Sequence, residues 1–381
     1  MAERERPDRV PELDGLRGAA ILLVLLFHYI SIEGLTKTGS WSFILQRIVI
    51  MGWTGVDLFF VLSGFLIGGI LIHARGSANY FTTFYARRFF RIIPIYYLWI
   101  FGYILMVSLG GSFVRAHSHS GAVLELGLPI YAHFLFLQNL GFIHLSGLTG
   151  AWFSHTWSLA VEEQFYLVAP LIIWFLSPRK LFIFLVAIIA GAPLLRLGLL
   201  QYFHAAPWLV GVVMPTRADS FAVGMLAAIL WRNAAIRAGL ATHPRVLYLL
   251  LGLFSAGALV LWRWSPQSLA FGMESAGYTC MAFFYGVILL LVLTRPTSLL
   301  SAAARIGWLR ELGSVSYCVY LIHLVADVLC HAILLHDTPR FSNGKAVAVS
   351  LFAGFLTYGI AKFSWIILER PLLRYGHSFS Y

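Results

Sequence analysis

Acidic residues are scarce in this chain, with 16 Asp and Glu among 381 residues against 27 Lys and Arg. Charge of either sign makes up only 11% of the sequence, where a soluble domain carries about 25%. That shortage excludes a water-soluble globule and a disordered chain. It also excludes a nucleic-acid-binding domain despite the formal net charge of +11, because such a domain gathers its cations on a polar face that this composition cannot build. Cysteine is nearly missing too. Cys280, Cys318 and Cys330 all fall in apolar segments and offer neither metal-ligand spacing nor a disulfide framework.

What is abundant is apolar surface: 60% of residues are hydrophobic and the mean hydropathy is +0.81. A helix needs about 20 such residues to cross about 30 Å of hydrocarbon. Ten stretches qualify, near 15–34, 53–73, 92–110, 157–177, 181–200, 216–231, 245–264, 276–294, 313–335 and 346–368. The stretch 127–146 is apolar but broken by Pro129, His133, Asn139, Gly141 and His144. Leaving it uncrossed, with the N-terminus in the cytoplasm, puts eighteen of the 27 basic residues inside, eight outside and Lys362 within a span. Making it a crossing would invert every later loop, so an outer-face re-entrant or interfacial segment is expected there. The basic N-terminus leads into a long span without a small-residue cleavage pattern and reads as a signal anchor. The expectation is an all-α integral membrane protein of about ten transmembrane helices around a polar central chamber, both termini cytoplasmic. Residues 1–381 form one domain, with tails at 1–12 and 372–381.

Ionisable groups within spans are costly and face a cavity or a partner. Here they are Arg17, His28, Asp57, Glu162, Glu163, Arg217, Asp219, His323 and Asp327. Each alone reads equally well as a structural pair between helices, but a cluster spread over several helices implies a polar chamber. Arg17 and His28 are eleven residues apart, so they share a helix face about 16 Å apart along the axis. That spacing puts Arg17 at the cytoplasmic mouth and His28 near the bilayer middle. A cation at the entrance and an imidazole deep inside suit a long anionic donor and a general base that activates a hydroxyl. His323 is expected at similar depth, with Asp327 one turn on, placed to orient the ring or compete for a proton, unless the two are simply a buried histidine and its helix neighbour. Arg87, Arg88 and Arg91 crowd five residues just before Pro94, which is tolerated in a first helical turn. The third span is therefore expected to begin there, its positive end and three guanidinium groups making a phosphate site. The plainer reading of those arginines is membrane topology.

The charged residues lie inside recognisable phrases: LDGLRGAAILLVLLFHY (13–29), GVDLFFVLSGFLI (55–67), FYARRFFRIIPIYYL (84–98), TWSLAVEEQFYLVAPL (156–171), RADSFAVGML (217–226), GSVSYCVYLIHL (313–324) and LERP (368–371). In that order they resemble the successive motifs of the membrane-bound acyltransferase family 3, whose members O-acylate, most often O-acetylate, sugars and some natural products in bacteria. The resemblance implies transfer of an acyl group from cytoplasmic acyl-CoA to an acceptor at or beyond the outer face of the cytoplasmic (inner) membrane. The family's Arg-x10-His motif falls on Arg17 and His28, its Arg-x-x-Arg motif on Arg88 and Arg91, and its Trp-Ser-Leu…Glu segment on Trp157, Ser158, Leu159 and Glu162. One departure is Val325, where many members have proline two residues after the histidine matched by His323. No esterase-like domain of the kind some members append follows the last motif, so no hand-over to a second catalytic site is expected.

The expected arrangement has CoA phosphates on Arg87, Arg88 and Arg91, Arg17 guiding the donor, and pantetheine reaching toward His28. His28 deprotonates an acceptor hydroxyl, by direct transfer or through a brief acyl intermediate. Glu162 or Asp57 orients His28 or binds that hydroxyl, although helix pairing explains both carboxylates as well. Arg217 and Asp219, near the outer surface, fit an acceptor contact or an ion pair. Trp157, Ser158 and His323 are the remaining acceptor contacts, and Trp152 and Trp157 are candidate sugar-stacking rings. His117, His119, His133, His144 and His155 crowd the outer segment, but their irregular spacing and the lack of neighbouring Cys or carboxylates argue against a metal there. Expected partners are the bilayer, acetyl-CoA or another acyl-CoA, and a carbohydrate or glycolipid, with no nucleic acid. Two competing readings are a macrolide-like acceptor and, outside enzymes, a secondary transporter, which also accounts for intramembrane charge but predicts repeated halves.

Overall fold

The computed structural model describes residues 10–31, 40–110, 124, 126–141, 150–203, 207–267, 270–341 and 343–381, and among those residues the regular structure is helix, with no strand. In chain order the helices are α1 (Pro11–Ile30), α2 (Trp41–Val49), α3 (Gly55–Ala74), α4 (Tyr80–Leu105), α5 (Ile130–Phe134), α6 (Gln138–Gly141), α7 (Trp157–Phe175), α8 (Pro178–Gln201), α9 (Pro207–Val212), α10 (Met214–Arg232), α11 (Ala234–Thr242), α12 (Arg245–Trp264), α13 (Tyr278–Thr294), α14 (Leu299–Ala304), α15 (Gly307–Ser314), α16 (Ser316–Leu335), α17 (Gly344–Ser364) and α18 (Arg370–Gly376). Among the described residues, nine helical stretches are long and apolar enough to cross a membrane. α10 makes a tenth only together with α11, from which it is bent by 92°. This is the multi-pass all-helical architecture that the hydropathy implies.

Local chemistry sets the ends. Ser177 caps α8 by accepting from the Lys180 amide, with Pro178 in the first turn, and Asn343 caps α17 by accepting from Ala346. Two boundaries differ from the sequence expectation, and both matter for the site. α4 begins at Tyr80 and runs through Pro94, so Arg87, Arg88 and Arg91 lie in its third and fourth turns rather than at a helix start. The proline removes one backbone hydrogen bond without ending the helix, and the expected contribution of a positive helix end at the arginines is lost. α1 ends at Ile30, which puts His28 in its last turn instead of halfway along a span.

The described part of the stretch 127–146 is broken into short helices, as its proline and polar residues imply. Within its described part, 127–141, the short helices α5 and α6 are joined through Phe136 at φ 54°, and the Leu137 amide bonds the Ala132 carbonyl. Asn139 donates to Gln164 on α7 and to the Val212 carbonyl, and Gln138 donates to the Thr156 carbonyl. Protein groups thus take up the side-chain amides of Gln138 and Asn139, which lipid could not. Residues 142–146 lie outside the described residues.

Lipid gives helices no hydrophobic reason to associate, so close packing of small residues must do it. α3 and α10 meet at Gly64 and Gly224: a Cβ on Gly64 would sit 2.2 Å from the Phe221 carbonyl oxygen, and one on Gly224 would sit 2.1 Å from that of Val61. This close approach brings α3 and α10 into register around a buried charge network and holds the Ser63 face of α3 toward α7.

Candidate active site

Five helices converge on one cavity of about 100 Å³. α1 supplies Arg17, α3 supplies Ser63, α4 supplies Arg88 and Arg91, α7 supplies Ser158, Glu162 and Tyr166, and α16 supplies Tyr317 and Tyr320. Arg88, Arg91 and Ile92 share one face of α4 at i, i+3 and i+4 spacing, and that face is the lining. Arg87 is a step around the helix, and its guanidinium donates to the Phe379 carbonyl and covers the Tyr381 ring at 5.0 Å. The structure therefore brings Arg17, Arg88 and Arg91 together and ties Arg87 to the C-terminal tail.

Three cations outnumber the one carboxylate, Glu162, on the cavity wall. That carboxylate accepts from both the Ser63 hydroxyl and the Tyr166 hydroxyl. Arg17 donates to Asp14 at 3.1 Å, and Arg88 lies over the Tyr166 ring at 5.6 Å with its Nε buried and unpartnered. An unpaired buried N–H is costly and calls for an acceptor. A second chamber of about 860 Å³ shares Arg17, Leu66, Arg91, Ser316 and Tyr317 with the first and adds Arg232 and Arg237. The site is thus a wide basic vestibule narrowing to a small basic pocket.

Beyond the pocket stands a row of imidazoles. Tyr320 donates to the His155 carbonyl at 2.5 Å, and the Ser158 hydroxyl lies 2.5 Å from the Tyr320 hydroxyl. The His323 Nδ1 is 2.7 Å from the Tyr320 carbonyl and its Nε2 is 3.1 Å from the His28 Nδ1. His155 stands edge-on to His323 with ring centres 5.1 Å apart. His28 and His323 are at the same depth, as their positions in the sequence imply. His28 is not among the residues lining the pocket; contact reaches it by way of Tyr320 and His323.

The remaining expected site residues fall elsewhere. Asp57 binds Arg217 at 2.5 Å, and Asp219 binds Arg196 at 3.0 Å, with all four side chains buried. Arg217 also covers the Tyr278 ring at 3.7 Å, and Arg196 reaches Thr279. Of the two readings open for Arg217 and Asp219, the ion pair is the one these contacts carry. Trp157 packs edge-on against Phe60, and Trp152 stacks on Trp99 at 4.6 Å with reciprocal indole-to-carbonyl hydrogen bonds. Asp327 lies 3.6 Å from His331, while the two nitrogens of His323 meet Tyr320 and His28. Among the described residues no group of three or more His, Cys, Asp or Glu is placed to hold a metal ion. His117, His119 and His144 lie outside them.

Sequence reasoning passed over Tyr320, Tyr166 and Arg196. Tyr320 precedes His323 by three residues and Tyr166 follows Glu162 by four, so helical spacing would have put both beside known candidates. Arg196 was counted as a loop charge, and nothing local signals its partner on α10.

The described residues thus form a bundle of long apolar helices with a basic pocket next to a contacting histidine pair. The acyltransferase domain of acyltransferase family 3 matches residues 10–367. The chain belongs to that family. It is similar to the peptidoglycan O-acetyltransferase OatA of Listeria monocytogenes, 26% identical over 386 aligned positions covering 96% of this chain and 56% of the relative. It is also similar to the O-acetyltransferase OatA of Staphylococcus aureus, 24% identical over 387 positions covering 97% and 58%. The chain thus spans just over half the length of these curated relatives. No solved structure matches.

Proposed function

We propose that this protein transfers an acetyl group from acetyl-CoA to a hydroxyl of a cell-envelope carbohydrate, with His28 as the general base. The observation that carries the donor half is the meeting of Arg17, Arg88 and Arg91 at one pocket that opens into the larger vestibule. A polyphosphate with a long thin arm fits a basic chamber that narrows inward. The names of the OatA relatives support O-acetyl transfer and a glycan acceptor. The surplus of basic residues on one set of loops supports a vestibule on the cytoplasmic side of the bacterial inner membrane.

In this reading the acceptor O–H gives its proton to the His28 Nε2 as its oxygen attacks the thioester carbonyl. The C–S bond then breaks, and the imidazolium returns the proton to the departing thiolate. Glu162, held by Ser63 and Tyr166, helps fix the pocket wall against which the arm lies. For the arm to reach His28, the Ser158–Tyr320 pair at the inner end of the pocket must part.

The test uses the purified protein in vesicles with radiolabelled acetyl-CoA and muropeptide fragments. His28→Ala should abolish acetyl transfer, whereas Arg88→Ala and Arg91→Ala should raise KM for acetyl-CoA. Full activity in His28→Ala removes the base, and failure of the unsubstituted protein to incorporate label from acetyl-CoA removes the donor.

A further inference from the structure

The His28 Nδ1 has two neighbours, the Val24 carbonyl at 3.0 Å and the His323 Nε2 at 3.1 Å. Which nitrogen holds the shared hydrogen follows from the far side of His323. Its Nδ1 is 2.7 Å from the Tyr320 carbonyl, which only accepts, so the His323 Nδ1 carries a hydrogen. A neutral ring protonated at Nδ1 has a bare Nε2. The hydrogen between the two rings therefore sits on the His28 Nδ1, shared with the Val24 carbonyl, and the His28 Nε2 keeps its lone pair.

The surroundings keep that assignment stable. His323 is fully buried, and its own backbone carbonyl accepts from the Tyr29 hydroxyl, which also meets Thr357 on α17. His155, the other imidazole on this cluster, has its Nε2 3.1 Å from the Leu321 carbonyl and is by the same reasoning protonated there. The titratable groups facing the histidine pair are thus His155, Tyr320 and Tyr29, with Asp327 one turn beyond His323 on α16.

We propose that His323 is a positioning residue, whose Nε2 accepts the Nδ1–H of His28 and so presents the His28 Nε2 to the acceptor hydroxyl. The inference rests on His28 being the base and reassigns His323 from acceptor binding to ring orientation. When His28 takes the acceptor's proton, the same hydrogen bond becomes one from a cation to a neutral acceptor and strengthens, which favours the step. A neutral imidazole thus does for His28 what a carboxylate does for the histidine of a hydrolase triad, without placing an anion in the bundle.

The experiment compares His323→Leu and His323→Gln with the unsubstituted protein in the acetyl-CoA and muropeptide assay, each variant first shown to be monodisperse in detergent. Leucine removes the acceptor; the glutamine carbonyl restores one. His323→Leu should lower kcat about 10- to 100-fold, the worth of a hydrogen bond to a charged group. KM for the muropeptide should stay unchanged, and the acid limb of the kcat profile should move to lower pH. His323→Gln should recover much of the rate and return the limb toward its original position. A raised KM with unchanged kcat, or glutamine no better than leucine, overturns the proposal. If His323→Leu does not fold, 15N shifts of the unsubstituted protein decide, with the His28 signals assigned by their loss in His28→Asn. Near neutral pH Nδ1 should be protonated and Nε2 bare, and a protonated Nε2 overturns the proposal. Activity surviving in His28→Ala instead sinks the underlying reading, a separate result.

Discussion

Replacing Arg217 with methionine strands the Asp57 carboxylate in the interior, and the structure sets the size of the penalty. The pair is 2.5 Å apart with 1% and 0% of its side chains exposed. At an effective dielectric of about 20 the attraction is about 6–7 kcal/mol. Burying each ion costs several kcal/mol, so the intact pair comes out near zero on balance. Taking away one partner leaves the other's cost unmet. Arg217→Met should therefore destabilise by about 3–5 kcal/mol, whereas the double variant Asp57→Leu/Arg217→Met should lie within about 1–2 kcal/mol of the original. Ser220, which donates to Asp57 at 3.3 Å, offsets only a small part of the loss in the single variant. The assay is thermal unfolding in detergent, followed by a thiol-reactive dye in a Cys280→Ser background. Cys318 and Cys330 are free and buried, so their labelling reports opening of the bundle. Equal stability of Arg217→Met and the original would refute the electrostatic reasoning. A double variant that is stable but inactive would return Asp57 to the chemistry.

Three further outcomes are expected. Gly64→Val places a side chain against the Phe221 carbonyl oxygen, where even a Cβ sits at 2.2 Å, so α3 and α10 must separate and the yield of monodisperse protein should collapse, as size-exclusion chromatography would show. Burial pushes the His133 ring down to about 4, while an unfolded histidine titrates near 6.5. The unfolded chain then binds more protons between those values, so stability is full above about pH 6.5 and falls toward pH 4, and in thermal melts across that window His133→Leu should flatten the decline. Arg87→Ala should leave KM for acetyl-CoA unchanged, in contrast to Arg88→Ala, because Arg87 holds the C-terminal tail; loss of donor affinity in Arg87→Ala would put it back in the anion site.

Which parts were legible beforehand follows from the range of each interaction. The helix count is a consequence of hydropathy, proline and glycine placement, and 3.6-residue periodicity, all local properties. Helix position put His28 and His323 at similar depth but did not pair them, because contact between the two rings depends on which helices are neighbours, and that is not a local property. Pro94 misled because one missing backbone hydrogen bond is too small a defect to end a helix that is otherwise apolar and packed. The Asp57–Arg217 and Asp219–Arg196 pairing was open because four charges on three helices allow several matchings, and only the approach of α3 and α10 at Gly64 and Gly224 selects this one. Likewise Arg87 and Arg88 are neighbours in sequence but point a quarter-turn apart, and the tail that claims Arg87 lies almost 300 residues away.

Acyl transfer across a bilayer needs a passage, yet any continuous file of water through a membrane protein lets protons run down their gradient. Under the proposed function, the Ser158–Tyr320 pair stands where these two demands meet. A partition of aliphatic side chains would be dry but would cost several kcal/mol to repack at each turnover. Two hydroxyls bonded to one another and to the His155 carbonyl can separate for about 0.5–1.5 kcal/mol per bond and close again without moving a helix. Under the proposed function, the pair would let the bundle close between turnovers at small cost to the passage of the acyl group.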